Sequence, residues 1–111
     1  MTGKVPFVDL VAWIADNLHA PLSVETLAKH MAMSPRNFAR VFRAEVGATP
    51  AAYLRRARLE AARALLEQTS ESLDEIAVRC GFSDDEVMRR AFQEDLGVTP
   101  GHYRTMFGAS S

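Results

Sequence analysis

One pattern of residues occurs twice in this chain, and this repetition limits the possible folds more than any other feature of the sequence. Five residues recur 49 positions later: Ser23, Leu27, Ala28, Met33 and Ser34 correspond to Ser72, Ile76, Ala77, Phe82 and Ser83. Others recur at a spacing of 50: Phe38, Arg40, Phe42, Gly47, Thr49, Pro50 and Tyr53 correspond to Met88, Arg90, Phe92, Gly97, Thr99, Pro100 and Tyr103. The second copy therefore has one additional residue, and the sequence predicts two versions of one structural unit.

Each copy has the pattern of a helix-turn-helix. Ser23 is a predicted N-cap for a short helix, and Ser34 followed by Pro35 predicts a longer helix that ends near Gly47. A short helix, a tight turn and a longer helix form a helix-turn-helix, whose second helix commonly enters the major groove of DNA. We call the second helix of each copy its reading helix.

The segments before and after the first copy are also predicted to be helical. Apolar residues recur at the i, i+3, i+4, i+7 spacing over residues 7–18, and Pro21 prevents that helix from continuing. No proline or glycine occurs between Pro50 and Gly81, which predicts one long helix over about residues 50–68.

The second copy has its own start signals. Residues 72–75 and 83–86 each read as a capping box, and a last short helix is expected after Pro100. No segment alternates apolar and polar residues for long enough to be a strand. We therefore expect an all-α fold of about seven helices, with two helix-turn-helix modules joined by one long linker helix.

Charge is divided unevenly along the chain, although the net charge is only −1. Residues 1–66 contain nine Lys/Arg and five Asp/Glu, whereas residues 67–111 contain four and nine. Eight of the basic residues lie in one stretch: Lys29, Arg36, Arg40, Arg43, Arg55, Arg56, Arg58 and Arg63. This stretch is the candidate anion-binding surface.

Several function classes find no support in the residues. The single Cys80 excludes an internal disulfide and a four-cysteine zinc site, and the three histidines lie far apart in the sequence. No apolar run is long enough for a membrane helix, and no catalytic constellation is recognisable. We expect no metal, no cofactor, no membrane partner and no enzymatic activity, with Cys80 a buried, inert thiol and Trp13 partly buried in a core.

The doubled pattern resembles a known family. The segments MSPRNFARVFRAEVGATPAAYLRRARLEAARALL and SLDEIAVRCGFSDDEVMRRAFQEDLGVTPGHYR resemble the C-terminal DNA-binding domain of AraC/XylS-type bacterial transcription regulators. The resemblance covers about residues 7–107 and is most specific in IAVRCGFSDDEVMRRAF and GVTPGHYR. The subgroup that it most resembles has an amidotransferase-like ligand domain upstream.

The resemblance divides the chain into segments. It implies a first module over about residues 7–49, a linker helix over about 50–68 and a second module over about 72–107. Residues 1–6 are then expected to be a linker remnant or a start segment, and residues 108–111 a polar tail. The resemblance also implies a cytoplasmic protein of the bacterial nucleoid.

The first reading helix offers the clearest candidate contacts. Arg36, Arg40 and Arg43 fall within about 60° of one another on a helix. The resemblance implies that Arg36, Ala39 and Arg40 face base edges, with the two arginines as candidates for bidentate bonds to guanine. Arg43 is a predicted phosphate contact, together with Lys29, Arg55 and Gln93.

The second reading helix is predicted to contact bases through Glu86, Arg89 and Arg90. These residues and Gln93 fall within about 100° of one another on a helix. Glu86 has two alternative roles, since its carboxylate is able either to accept from cytosine N4 or to complete the capping box. A competing structural interpretation is that Arg40 and Arg90 support the fold through equivalent ion pairs.

These expectations favour sequence-specific binding of double-stranded DNA by a bacterial transcription regulator. A linker helix spanning about 27 Å brings the two reading helices near one DNA turn, so one chain is expected to read two successive major grooves of an asymmetric site. The first module is expected to hold the DNA more strongly than the acidic second module. The alternative is a helical protein-interaction module that docks on RNA polymerase subunits or on an upstream ligand-binding domain.

Overall fold

The computed structural model describes residues 7–108, and within them it contains seven α-helices and no strand. Their bounds are α1 Phe7–Asp16, α2 Val24–His30, α3 Pro35–Val46, α4 Pro50–Gln68, α5 Leu73–Arg79, α6 Asp85–Leu96 and α7 Pro100–Phe107. The predicted all-α architecture is confirmed, and α1 ends two residues earlier than expected. The predicted linker remnant at residues 1–6 and most of the predicted tail lie outside the described residues.

The chain divides into two compact units, with the boundary between Leu54 and Arg55. Helices α1 to α3 and the first residues of α4 belong to the first unit, and the rest belongs to the second. Helix α4 is unbroken over 19 residues, as the Pro50 start and the absence of internal proline and glycine predict.

The first unit is built around α3, the first reading helix. Phe38 and Phe42 of this helix are fully buried with Ile14 and Leu27, and their rings lie 5.5 Å apart. Tyr53 packs edge-on against Phe42 at 5.6 Å. Burial of these rings fixes which face of α3 is turned towards solvent.

The second unit repeats this arrangement around α6, the second reading helix. Met88 and Phe92 occupy the positions that correspond to Phe38 and Phe42, and both are fully buried. Tyr103 packs edge-on against Phe92 at 5.9 Å, as Tyr53 does in the first unit. The repeated sequence therefore produces a repeated core.

The start of α6 differs from the prediction. Ser23 and Ser72 begin α2 and α5 with capping boxes, and the predicted box at Ser72 is confirmed. The predicted box over residues 83–86 is wrong, because Asp84 is the N-cap and accepts a 2.8 Å hydrogen bond from the backbone N–H of Val87. An aspartate at this position caps as well as serine and also interacts favourably with the positive end of the helix dipole.

Candidate nucleic-acid interface

The first reading helix presents its cationic side chains to solvent. Arg36, Arg40 and Arg43 are exposed on α3, whereas Ala39 is half-buried between them and the core. The predicted separation of an arginine face from the buried Phe38 is confirmed. Along residues 7–108, none of these three arginines forms an ion pair. Their positive charges are therefore available to an anionic ligand.

One side chain that sequence reasoning missed orients Arg40. Asn37 accepts a 2.6 Å hydrogen bond from Arg40 Nη2 through its side-chain Oδ1. The amide carries no charge, so it restricts the guanidinium without neutralising it. The sequence feature that indicates this contact is the i, i+3 spacing of Asn37 and Arg40, which places the two residues side by side on one helix face.

Lys29 is exposed in the last turn of α2, within the same unit as α3. A lysine on a flexible stem at this position adds a further positive charge to the first module. Lys29 is thus placed with the solvent-facing cations of this unit, as a phosphate contact requires.

The second reading helix also turns its predicted site residues to solvent, but they bind one another. Arg89 donates to both carboxylate oxygens of Glu86, from Nε at 3.0 Å and from Nη2 at 2.6 Å. The same guanidinium donates from Nη1 to Gln93 Oε1 at 3.1 Å. Arg90 Nη2 lies 3.8 Å from Glu86 Oε2. The structure therefore joins all four predicted residues into one network.

Electrostatics of this network are set by the Glu86–Arg89 pair. The hydrogen bond from Arg89 lowers the pKa of Glu86, and the bond to Glu86 raises the pKa of Arg89. Glu86 is consequently ionised at neutral pH, and its charge offsets one of the two arginine charges on this face.

Arg55 is engaged by carboxylates of its own unit. Its Nε donates to Asp95 at 3.0 Å, and its Nη2 donates to Glu94 at 2.7 Å. These hydrogen bonds raise the pKa of Arg55. A phosphate at Arg55 would have to compete with both acids, which distinguishes Arg55 from Arg43.

The interpretation of Arg40 and Arg90 as equivalent ion pairs is wrong. Arg40 is bonded to the neutral Asn37, whereas Arg90 lies beside the carboxylate of Glu86. The two arginines occupy matched positions of the repeat, yet their partners differ in charge. The two reading helices therefore have matching core residues and differ in electrostatics.

Trp13 and Cys80 were expected to lie partly or fully in a core, and the structure places both there. Trp13 is half-buried and stacks on His30 with ring centroids 4.3 Å apart. Cys80 is 2% exposed, and its burial raises the thiol pKa to about 11. Both observations confirm the structural interpretation of these residues.

Other kinds of site are not found in the part of the chain that the structure describes. No group of three or more His, Cys, Asp or Glu side chains within residues 7–108 is arranged to hold a metal ion. Among the same residues, no helix has the length and apolar character needed to cross a membrane.

Comparison with known proteins gives a consistent family assignment. A helix-turn-helix domain model matches residues 27–106. The HTH-type transcriptional regulator Rv1931c of Mycobacterium tuberculosis is 51% identical over 81 residues, which are 73% of this chain and 31% of that protein. The transcriptional activator RhaS of Enterobacter sp. (strain 638) is 38% identical over 95 residues, which are 86% of this chain and 34% of RhaS. The chain thus spans about a third of the length of these relatives.

Solved structures show the same fold. The DNA-binding domain of the global transcriptional factor AdpA, crystallised with a target DNA, superposes with a TM-score of 0.88 at 40% identity and covers 92% of both chains. The C-terminal domain of AraT, a response regulator from Geobacillus stearothermophilus, has a TM-score of 0.88 at 28% identity, and the match covers 99% of this chain and 93% of the chain of that domain.

Proposed function

The chain belongs to the helix-turn-helix family of AraC-type DNA-binding domains, and from this premise we propose that it binds double-stranded DNA sequence-specifically within a bacterial transcription regulator. The observation that carries the proposal is the solvent face of α3, where Arg36, Arg40 and Arg43 have no carboxylate partner along residues 7–108. Phe38 and Phe42 fix that face by their burial.

Each residue of the first reading helix has a proposed role. Arg36 and Arg40 donate bidentate hydrogen bonds to guanine O6 and N7, and the Ala39 methyl group contacts a base edge such as the thymine methyl. Asn37 positions Arg40 for this contact through the hydrogen bond already present. Arg43 and Lys29 bind phosphates.

The second reading helix contributes a weaker contact. Glu86, Arg89 and Arg90 are the proposed base contacts and Gln93 a phosphate contact, but all four must first leave the network that joins them. Arg55 remains a predicted phosphate contact, in competition with Glu94 and Asp95.

Two different reading helices in one chain imply an asymmetric site. Ordinary helix-turn-helix proteins pair by two-fold symmetry and read palindromes. Here Arg36 corresponds to Glu86, so the two half-sites require different bases, and one chain reads two successive major grooves. The expected stoichiometry is one chain per site.

Selection of bound duplexes from a random pool tests the proposal directly. We expect an enriched sequence without two-fold symmetry, one protein chain per duplex, and an affinity that falls steeply with salt. Failure to enrich any duplex, or weak binding that is indifferent to salt, contradicts the proposal and favours the helical protein-interaction module. If two chains are required per site, only the expected stoichiometry of one chain per site is contradicted.

We extend the proposal to the whole protein on the basis of the family. The full-length regulator is proposed to carry a ligand-binding domain, to contact RNA polymerase subunits, and to act at the bacterial nucleoid. Pull-down of purified polymerase by the full-length protein on its selected DNA tests the polymerase contact.

A further inference from the structure

One matched position on the two reading helices carries opposite charges. Arg36 on α3 corresponds to Glu86 on α6 at the spacing of 50 residues. In the first module this position adds a cation to the exposed face. In the second module it adds a carboxylate, and that carboxylate binds the arginine three residues later along the same helix.

The contact occupies the groups that DNA would need. Arg89 presents Nε and Nη2 to the two oxygens of Glu86, which is the bidentate geometry that an arginine offers to a phosphate or to guanine. Arg90 lies beside the same carboxylate at 3.8 Å. A phosphate or base that binds Arg89 through Nε and Nη2 must therefore replace Glu86, and one that binds Arg90 approaches the same carboxylate.

Stabilisation of the helix does not explain this carboxylate. The N-terminus of α6 is capped by Asp84, so Glu86 is not needed as a cap, and its charge in the first turn adds to a helix-dipole interaction that Asp84 and Asp85 already make. The side chains of Glu86 and Arg89 are 51% and 47% exposed, and exposed ion pairs contribute little to folding. The pair lies instead on the face that the fold turns away from the core.

Resting on the proposed function, we propose that Glu86 is a specificity-determining residue that selects against DNA lacking its preferred base. Its carboxylate holds Arg89 and Arg90 and releases them on a duplex that offers it a hydrogen-bond donor, the N4 amino group of cytosine. Where guanine or thymine stands at this position instead, the carboxylate faces acceptors and phosphates, which is unfavourable once water is excluded. Discrimination thus comes from a repulsive element as well as from attractive ones.

The test compares two substitutions that change charge equally. Glu86→Gln removes the carboxylate while keeping its size. Glu60→Gln is the matched control, because Glu60 also forms an i, i+3 ion pair with an arginine, Arg63, at 2.7 Å, and lies on α4, which is not a reading helix. Both variants of the whole chain are titrated with a selected duplex, with its single-base-pair variants and with a mixed-sequence duplex over a range of salt concentrations.

We expect Glu86→Gln to tighten binding to mixed-sequence DNA by about two- to fivefold and to steepen its salt dependence by about one unit of slope. Affinity for the selected duplex stays equal or falls, so the ratio of specific to non-specific affinity decreases and preference at one base pair is lost. Glu60→Gln keeps both the ratio and the preference. Glu86→Ala, which removes the side chain altogether, loses the same preference.

The outcomes separate this inference from the proposed function. If the unaltered chain binds DNA and Glu86→Gln matches Glu60→Gln in both ratio and preference, the role of Glu86 is overturned while DNA binding stands. A lower melting temperature for Glu86→Gln with an unchanged ratio also overturns it, since the carboxylate would then act on stability. If the unaltered chain binds no duplex, both the inference and the proposed function fail.

Discussion

Replacing Arg40 and Arg90 separately by alanine tests whether the first module binds DNA more strongly than the second. The two arginines occupy matched positions of the repeat, and both are exposed. They differ in their partners, since Arg40 is bonded to neutral Asn37 and Arg90 lies 3.8 Å from the Glu86 carboxylate. We expect Arg40→Ala to weaken DNA binding more than Arg90→Ala.

The magnitude follows from these partners. A bidentate arginine–guanine contact contributes about 1–3 kcal/mol of discrimination, so Arg40→Ala should weaken binding to the selected duplex by about 5- to 150-fold. Arg40 has no carboxylate to leave when it binds DNA, because its partner Asn37 is an uncharged amide. Arg90 must separate from a carboxylate, and this cost offsets part of the binding free energy that its DNA contact would contribute. We therefore expect Arg90→Ala to weaken DNA binding by only a few-fold.

Fluorescence titrations of both variants on the selected duplex and on its single-base-pair variants provide the measurement. Arg40→Ala should flatten the preference at one base pair, and Arg90→Ala should leave that position unchanged. Thermal melts serve as the control, because exposed substitutions change stability by no more than about 0.5 kcal/mol. Equal losses of affinity for the two variants, with unaltered base preference, would refute the reasoning.

Three further predictions address phosphate binding, packing and pH dependence. Arg43→Ala should weaken binding to all sequences alike and lower the salt slope by about 1, and a change in base preference would argue against a phosphate contact. Leu66→Ala, at a fully buried position of the second unit, should lower the free energy of unfolding by about 2–5 kcal/mol in denaturant titrations, and a near-zero change would contradict the described core. Burial raises the thiol pKa of Cys80 from 9.0 to about 11, so the unfolded chain loses this proton first as pH rises. The free energy of unfolding should therefore decrease between about pH 9 and pH 11. Cys80→Ala lacks the thiol and should show a smaller decrease if the Cys80 thiol is the group that titrates.

Local signals were sufficient to predict the helices. Proline at Pro35, Pro50 and Pro100 marks the first residue of three helices, and the structure begins α3, α4 and α7 at these residues. Proline is favoured there because its missing N–H lies among groups that have no partner within the helix. The repeat then predicted which apolar residues share a core, because matched positions pack alike.

Most predicted site residues are exposed, whereas Ala39 and Arg55 are half-buried, and the partners of these residues did not follow from periodicity. The sequence predicted a capping box over residues 83–86 that Glu86 completes, and helical spacing alone did not show that Asp84 caps α6 instead. The backbone geometry assigns the cap to Asp84 and leaves Glu86 for Arg89. The identity of the capping residue depends on where the helix begins. The extra residue of the second copy shifts that start.

Contacts between distant residues were beyond the reach of pattern analysis. Arg55 pairs with Glu94 and Asp95 across about 40 positions of the chain. Tyr103 is bonded to Glu67 and accepts from Arg63 Nε at 3.1 Å across a similar separation. Such pairs depend on how helices pack within the unit, and periodicity within one helix carries no information about them.

The two copies differ where packing does not constrain them. Phe42 and its counterpart Phe92 are both fully buried, and a change in the volume of either side chain would disturb a close-packed core. Asn37 corresponds to Val87, which is 41% exposed, and the two residues differ in chemistry. A repeat that keeps its core while its exposed faces diverge has two modules with similar cores, for which the proposed function predicts different base preferences. Because α4 joins them in a fixed order along one chain, the proposed function predicts that the protein distinguishes the two ends of its site, which a symmetric pair of identical modules does not.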